Sequence, residues 1–316
     1  MIGRSVAGAV SQQRYNCKGV PVTRADWIIW PLRLLGWLPL PLLRGLGAVL
    51  GWLLYCSNVA TVRVVRRNIA LCFAELPAAA QEARVKARCI DVGQLFFETL
   101  AVWNRSPQWL EQRVVVDASL DPLLEAIAQT RGAIIIAPHH GNWEVVGLWA
   151  AQRAKMTSLY DPPQSRAFEQ WIKSARQRSG AQLLPTDVRG VAGVVKALKR
   201  GEITGILPDQ QPPASSGEFA PFFGHPARTM TLVGNLLQRT DAAAFFVAAI
   251  RVKGGWRLRA QLPERALWSS DSQQSLAALN RGVEAIIALA PEQYQWEYKR
   301  FRAQPSGSER LYPARW

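Results

Sequence analysis

His139 and Glu144 are the residues whose types and spacing point most directly to chemistry. Histidine is the side chain whose ordinary pKa lies nearest neutrality, and a carboxylate within reach holds one tautomer and stabilises the protonated ring. The other ring nitrogen is then free to take a proton from a substrate hydroxyl. The chain has three histidines in 316 residues, His139, His140 and His225, and two of them stand together here. Neighbouring side chains in an extended loop point opposite ways, so one of the pair suffices, and His139 is assigned as the base.

The elements around the pair must bring it together. On one continuous helix, residues five apart are turned about 140° from each other and cannot meet at a common atom. Gly141 supplies the necessary break, with His139 on a loop and Glu144 in the first helical turn that follows. Before them, Ala133-Ile134-Ile135-Ile136 is a short, apolar, mostly β-branched run, expected as a buried strand. The pair therefore stands at the carboxyl end of a strand, where open α/β sheets carry their ligands.

The segment His-His-Gly-Asn-Trp-Glu at 139–144 resembles the catalytic block of the bacterial late acyltransferases of lipid A biosynthesis, the lauroyl and myristoyl transferases, which are distantly related to glycerophosphate acyltransferases. Four further stretches resemble that family in order and distance. They are Arg66 to Phe73, Ala175 to Ala181, Gly205 to Gln211 with Phe222-Phe223-Gly224, and Pro291 to Trp296 with Lys299-Arg300-Phe301. Together they cover about residues 25 to 305. The resemblance implies transfer of a fatty acyl chain from acyl carrier protein, as co-substrate, to a hydroxyl of a lipid A precursor. His139 is then the general base and Glu144 its partner. A direct transfer is expected, because no Ser or Cys lies in the His139 block and Gly-x-Ser-x-Gly is absent. Backbone N–H groups near Asn142 and Trp143, at a helix start, are the oxyanion candidates.

Further positions are candidate substrate contacts. Arg176, ending a helix that starts near Ser165, suits a phosphate through bidentate hydrogen bonds, although an Arg there also complements the helix dipole. Asp209 and Glu218 flank a loop at the end of the strand Ile203 to Leu207 and can face the same crevice as His139. Trp296, Lys299 and Arg300 are candidates for headgroup contact, with core packing the competing role for Trp296.

Composition bounds the rest. Apolar residues make up 49% of the chain, enough for a sizeable core, and the formal net charge is +15. Such a charge suits an anionic lipid surface and an acidic carrier protein. No nucleic-acid-binding module is recognisable. Cys17, Cys56, Cys72 and Cys89 lack CxxC spacing, which excludes a zinc ribbon and argues against a disulfide framework. No metal site and no cofactor are expected.

The chain divides into a polar extension (1–26), an apolar segment (27–56), an acyltransferase domain (57–305) and a tail (306–316). The apolar segment is rich in tryptophan and carries Arg33 and Arg44, so it is expected to be a membrane anchor, either a helical hairpin or one tilted helix, with both arginines at the headgroup layer. A buried hairpin of a soluble domain is the alternative. Arg63, Arg66 and Arg67 follow it, which points to the cytoplasmic face of the inner membrane.

Within the domain, strands are expected at 133–137, 157–160, 182–184, 203–207, 244–251 and 256–262, the last two forming a hairpin over Lys253-Gly254-Gly255. Helices are expected near 143–154, 165–178, 190–200 and 275–290. The fold class is α/β, a mixed central sheet flanked by helices, which the resemblance makes glycerophosphate-acyltransferase-like, with an N-terminal membrane-associated helical segment. Three other readings compete with it: an acyltransferase acting on another glycolipid or aminolipid, a non-catalytic membrane lipid-binding protein, and a metallohydrolase using His139, His140 and Glu144, the last disfavoured because no further ligand pattern appears.

Overall fold

The structure, a computed structural model, describes residues 24–161 and 165–313. Most of the expected N-terminal extension, Cys17 included, and the last three residues of the expected tail lie outside the described residues.

The described chain opens with helices α1 (Arg24–Leu35), α2 (Leu40–Ser57), α3 (Ala60–Cys72) and α4 (Ala78–Asn104). Then come α5 (Pro107–Glu111), β1 (Val114–Val116), α6 (Asp121–Ala128), β2 (Ala133–Ile136), α7 (Trp143–Ala150) and β3 (Met156–Tyr160). Next are α8 (Arg166–Arg178), β4 (Ala181–Pro185), α9 (Val188–Lys199), β5 (Ile203–Ile206), β6 (Gly217–Phe222) and β7 (His225–Met230). The chain ends with α10 (Leu232–Leu237), β8 (Ala243–Val252), β9 (Gly255–Gln261) and α11 (Ser272–Ile287).

Seven strands form one mixed sheet in the order β1-β9-β8-β2-β5-β3-β4, with β8 and β9 antiparallel and every other pair parallel. Its central strands read as unbroken apolar runs because helices cover both faces. In β2, Ile134 and Ile136 enter one core while Ala133 and Ile135 enter the other. The same alternation sends Ala244, Phe246 and Ala248 of β8 one way and Phe245, Val247 and Ala249 the other. The six expected strands are all present within a residue or so at each end. Sequence patterning misses the three-residue edge strand β1 and the separate β6–β7 hairpin.

The N-terminal segment is helical, but α1 and α2 pack chiefly on α4 of the domain rather than on each other as a hairpin. Helix α2 crosses α4 at backbone contact, where Gly47, Gly51 and Gly93 meet. A Cβ on Gly47 would lie 2.5 Å from the Gly93 carbonyl oxygen, and one on Gly51 would lie 2.3 Å from that of Cys89. Arg44 does not reach outward to a headgroup layer. Its guanidinium bonds Glu98 at 2.6 Å and donates to the carbonyls of Val252 and Gly255 at 2.6 and 2.7 Å. Those carbonyls flank the β8–β9 turn, and a buried donor this large is held where acceptors are concentrated. Among the described residues, α2 is the one helix long and apolar enough to cross a membrane, with 22% of it buried. Its outer face, with that of α1, exposes Trp30, Leu34, Trp37, Val49, Trp52 and Leu53.

Candidate active site

The site forms where β2 and β5 end side by side. The strands pair in parallel, with Ile136 opposite Ile206, and the pairing extends one step as the Ala137 N–H donates to the Ile206 carbonyl at 2.9 Å. Each strand then runs into a proline, Pro138 or Pro208, which has no N–H to continue a ladder. The next residues are His139 and Asp209, and they face each other. Asp209 takes the His139 backbone N–H on one carboxylate oxygen and the ring Nδ1 on the other, both at 2.9 Å.

This contact sets the chemistry of the ring. An ionised carboxylate only accepts, so Nδ1 carries the proton and Nε2 keeps its lone pair. Burial alone would raise the Asp209 carboxyl, but the imidazole and the hydrogen bonds from His139 outweigh it and hold Asp209 below the usual carboxylate range. At Nε2 the Gln210 side-chain amide lies 3.2 Å away and also donates to Gln295 Oε1 at 3.0 Å. The Trp143 ring meets the imidazole edge-on, with centroids 4.9 Å apart.

The carboxylate on the imidazole is therefore Asp209, in place of the expected Glu144. Glu144 stands in the first turn of α7, as expected, but both its oxygens are taken by Arg176, from Nη2 at 2.5 Å and Nε at 3.2 Å. Arg176 reaches it from α8, and its charge is committed there rather than offered to a phosphate. Burial works against the Arg176 cation, yet the Glu144 charge more than restores it. The pair borders a cavity between α7 and strands β2 to β5, lined by Ile135, Val146, Gly147, Met156, Leu183 and Leu207.

The loop that carries His139 is bent at Gly141. Its φ is +58°, and a Cβ there would fall 2.2 Å from the Ala249 carbonyl oxygen, so this residue is restricted both by conformation and by close approach. The bend lets the loop bridge to β8 and to the segment near Tyr294. The Gly141 N–H donates to the Gln293 carbonyl and the Asn142 N–H to that of Ala249, each at 2.9 Å. Asn142 is thus removed as an oxyanion donor because its amide already has an acceptor. The Trp143 amide belongs to the first turn of α7, where N–H groups lack intrahelical partners. His140 is fully buried on the opposite side of the backbone, where burial pushes its pKa down to about 3 and keeps it neutral.

The other expected contacts lie elsewhere. Glu218 is exposed on β6, and its carboxylate is bonded by Ser272 and Gln273 at the start of α11, both at 2.9 Å. Trp296 is core, its indole N–H donating to the Pro291 carbonyl at 2.7 Å and its ring packed on Phe73, Phe223 and Tyr294. Arg300 is 2% exposed and braces β7 and α11 through the Arg228 carbonyl, Thr229 and Asn280, so it contacts no headgroup. Lys299 lies over the Tyr312 ring, 5.9 Å from its centroid. Tyr312, in the expected tail, is itself buried and donates to Asn68 at 2.6 Å, so that segment packs on the domain. Among the described residues, no three or more His, Cys, Asp or Glu converge as metal ligands.

Over most of its length the chain is similar to known proteins. A family described as bacterial lipid A biosynthesis acyltransferase matches residues 19–303. The chain is 29% identical over 298 residues to the lipid A biosynthesis palmitoleoyltransferase of Escherichia coli K12, covering 90% of this chain and 94% of that protein. It is 28% identical to the lauroyltransferase of the same organism, over 89% and 93% of the two chains, and 26% identical to its myristoyltransferase, over 78% and 76%. This chain belongs to the bacterial lipid A biosynthesis acyltransferase family.

Proposed function

We propose that this acyltransferase of lipid A biosynthesis moves a fatty acyl chain from acyl carrier protein to a hydroxyl of a lipid A precursor, with His139 as general base. The observation that carries the reading is the His139–Asp209 contact, which leaves the Nε2 lone pair free on a ring that meets Trp143, a wall residue of the apolar cavity. In the reaction the substrate hydroxyl displaces the Gln210 amide at Nε2 and gives up its proton as its oxygen attacks the thioester carbonyl. The C–O bond forms, the C–S bond breaks, and the carrier thiolate leaves with the proton from the imidazolium. Asp209 stabilises that imidazolium. The Trp143 amide, at the positive end of α7, supports the developing oxyanion. Glu144 and Arg176 form the polar rim of the cavity and orient the thioester against His139.

The apolar outer face of α1 and α2 supports binding to the cytoplasmic face of the inner membrane. Because α2 is fixed to α4 and Arg44 is tied into the β8–β9 turn, the N-terminal helices lie on the bilayer rather than crossing it. The net charge of +15 favours both anionic lipid and an acidic carrier protein.

The test is reconstitution with acyl carrier proteins bearing chains of graded length and a tetraacylated glucosamine disaccharide, read by product mass. Wild type adds one acyl chain, and His139→Ala, still folded and still floating with anionic vesicles, adds none. Wild-type turnover by His139→Ala sinks the mechanism. Turnover only with a different glycolipid or an aminolipid corrects the acceptor.

A further inference from the structure

We infer that the apolar groove between α4 and α8 holds an acyl chain of the acceptor lipid, while the cavity beneath α7 holds the donor chain, with Trp143 dividing them at His139. This rests on the acyl-transfer reading above. The groove has about 570 Å³ of open space and is lined by Val92, Phe96, Leu100, Trp103 and Phe168, ending at Trp143. Thr99 is the one polar side chain in its wall, and its hydroxyl is already used on the Leu95 carbonyl at 2.8 Å. Apart from the indole N–H groups of Trp103 and Trp143, the wall is hydrocarbon, which suits an acyl chain better than a charged ligand.

Continuity fixes which chain goes where. At its inner end the groove reaches Trp143, whose ring lies edge-on to the base, and Trp143 also lines the cavity beneath α7. Away from the site the groove reaches Trp103, which it shares with a hollow lined by Trp30, Leu34 and Trp37, the most exposed apolar side chains of α1 and the turn after it. A lipid that stays in the bilayer during reaction needs such an open path from the membrane-facing side to the base. A donor chain delivered by a soluble carrier needs instead a closed recess. The cavity beneath α7 is the more enclosed of the two, walled by that helix on one side and by β2, β3 and β5 on the other, with Glu144 and Arg176 at its rim. Gly147 faces open space inside that wall, since a Cβ there would meet nothing within 4 Å.

Steady-state kinetics of the full chain, with the tetraacylated disaccharide as acceptor and acyl carrier thioesters of graded chain length as donors, separate the two sites. Val92→Trp, which fills the groove, raises the acceptor KM by about tenfold or more and keeps the wild-type order of preference among donor chains. Phe96→Glu, an exposed change at the groove wall, does the same and stands in if Val92→Trp does not fold, as judged by thermal unfolding. Gly147→Leu shifts preference toward shorter donor chains and leaves the acceptor KM as it was. The assignment is overturned if the groove variants alter donor preference instead, or if the acceptor KM of both folded groove variants stays at the wild-type value. Failure of the wild type itself to acylate the disaccharide overturns the acyl-transfer reading along with it, so the two failures are distinct.

Discussion

His139 and Asp209 each stand three residues beyond Ile136 and Ile206, which face each other in the β2–β5 register. Equal offsets from one registered pair, each through a proline, bring the two side chains to the same height above the sheet edge. The imidazole and its carboxylate are thus positioned by the most buried part of the sheet, where Ile136 is 0% exposed, rather than by a mobile loop. Rigid placement of this kind favours a base, since a misplacement of about 1 Å costs roughly a hundredfold in rate.

Replacing Asp209 by Asn tests the partnership directly. The amide keeps the size of the carboxylate but turns its donor face to the His139 backbone N–H or to Nδ1, which disfavours the tautomer that leaves Nε2 basic. The expected loss in kcat is about 10³- to 10⁴-fold, the scale seen when a catalytic histidine loses its carboxylate to the same substitution. Acyl transfer by Asp209→Asn within about tenfold of wild type, with unchanged thermal stability, removes Asp209 from the mechanism.

Gly141 is the second dependency. A side chain there must accept a φ of +58° and displace the Ala249 carbonyl, which is fixed in β8 and already receives the Asn142 N–H. The strain from backbone conformation alone is about 1 kcal/mol or more, and the steric conflict adds to it. Gly141→Ala is therefore expected to lower the denaturation midpoint and to cut kcat more than KM, because the loop it distorts holds the base. An unchanged midpoint and kcat show that the loop accommodates a Cβ.

These relationships also mark what a sequence discloses. Continuous apolar runs disclose β2 and β8, whose burial on both faces demands them, while β9 shows by alternation and the edge strand β4 by a short apolar core between exposed ends. The hairpin β6–β7 was concealed by Pro221 and Pro226 and by a turn at Phe223-Gly224, where both residues have positive φ but no Asn-Gly or Asp-Gly announces it. At the site, His139 was legible from its place after a strand. Its partner was not, since the nearest carboxylate along the chain is Glu144 while the one that meets the ring comes from β5, a neighbour only through sheet order. Arg300 and Trp296 were misplaced for a related reason. Charge and aromaticity near a chain end suggest surface contact, and only the packing of β7 and α11 shows that both are enclosed.

A chain of charges joins α2 to the domain through Arg44. Glu98, 0% exposed, accepts from Arg44 and Arg251 at 2.6 Å and from the Trp256 indole at 3.2 Å, while Arg251 also bonds Asp91, which pairs with Arg88. Removing one charge leaves two buried guanidinium groups under-compensated. Glu98→Gln is expected to cost about 3–5 kcal/mol in unfolding free energy, read by urea titration. A cost below about 1 kcal/mol shows that water reaches these groups and that the network does not brace α2 against β8 and β9.

His140 gives the protein an acid-sensitive point distinct from the His139 ring. Its pKa is pushed from an ordinary 6.5 down to about 3, first by burial and then by the positive charge of Arg88, so the folded state excludes a proton that the unfolded chain binds. Above pH 6.5 neither state holds that proton and stability is unaffected. Between pH 6.5 and about 3 the unfolded state binds it and the folded state does not, so stability falls with falling pH by about 1.4 kcal/mol per unit. At pH 4 the accumulated loss from this residue is roughly 3 kcal/mol. His140→Gln, which does not titrate in this range, is expected to flatten the stability profile over pH 4–6 relative to wild type, whatever it does to absolute stability. Parallel profiles for the two proteins, measured by urea unfolding at each pH, refute the assignment, because a residue that is protonated in the folded protein at its ordinary pKa contributes no slope.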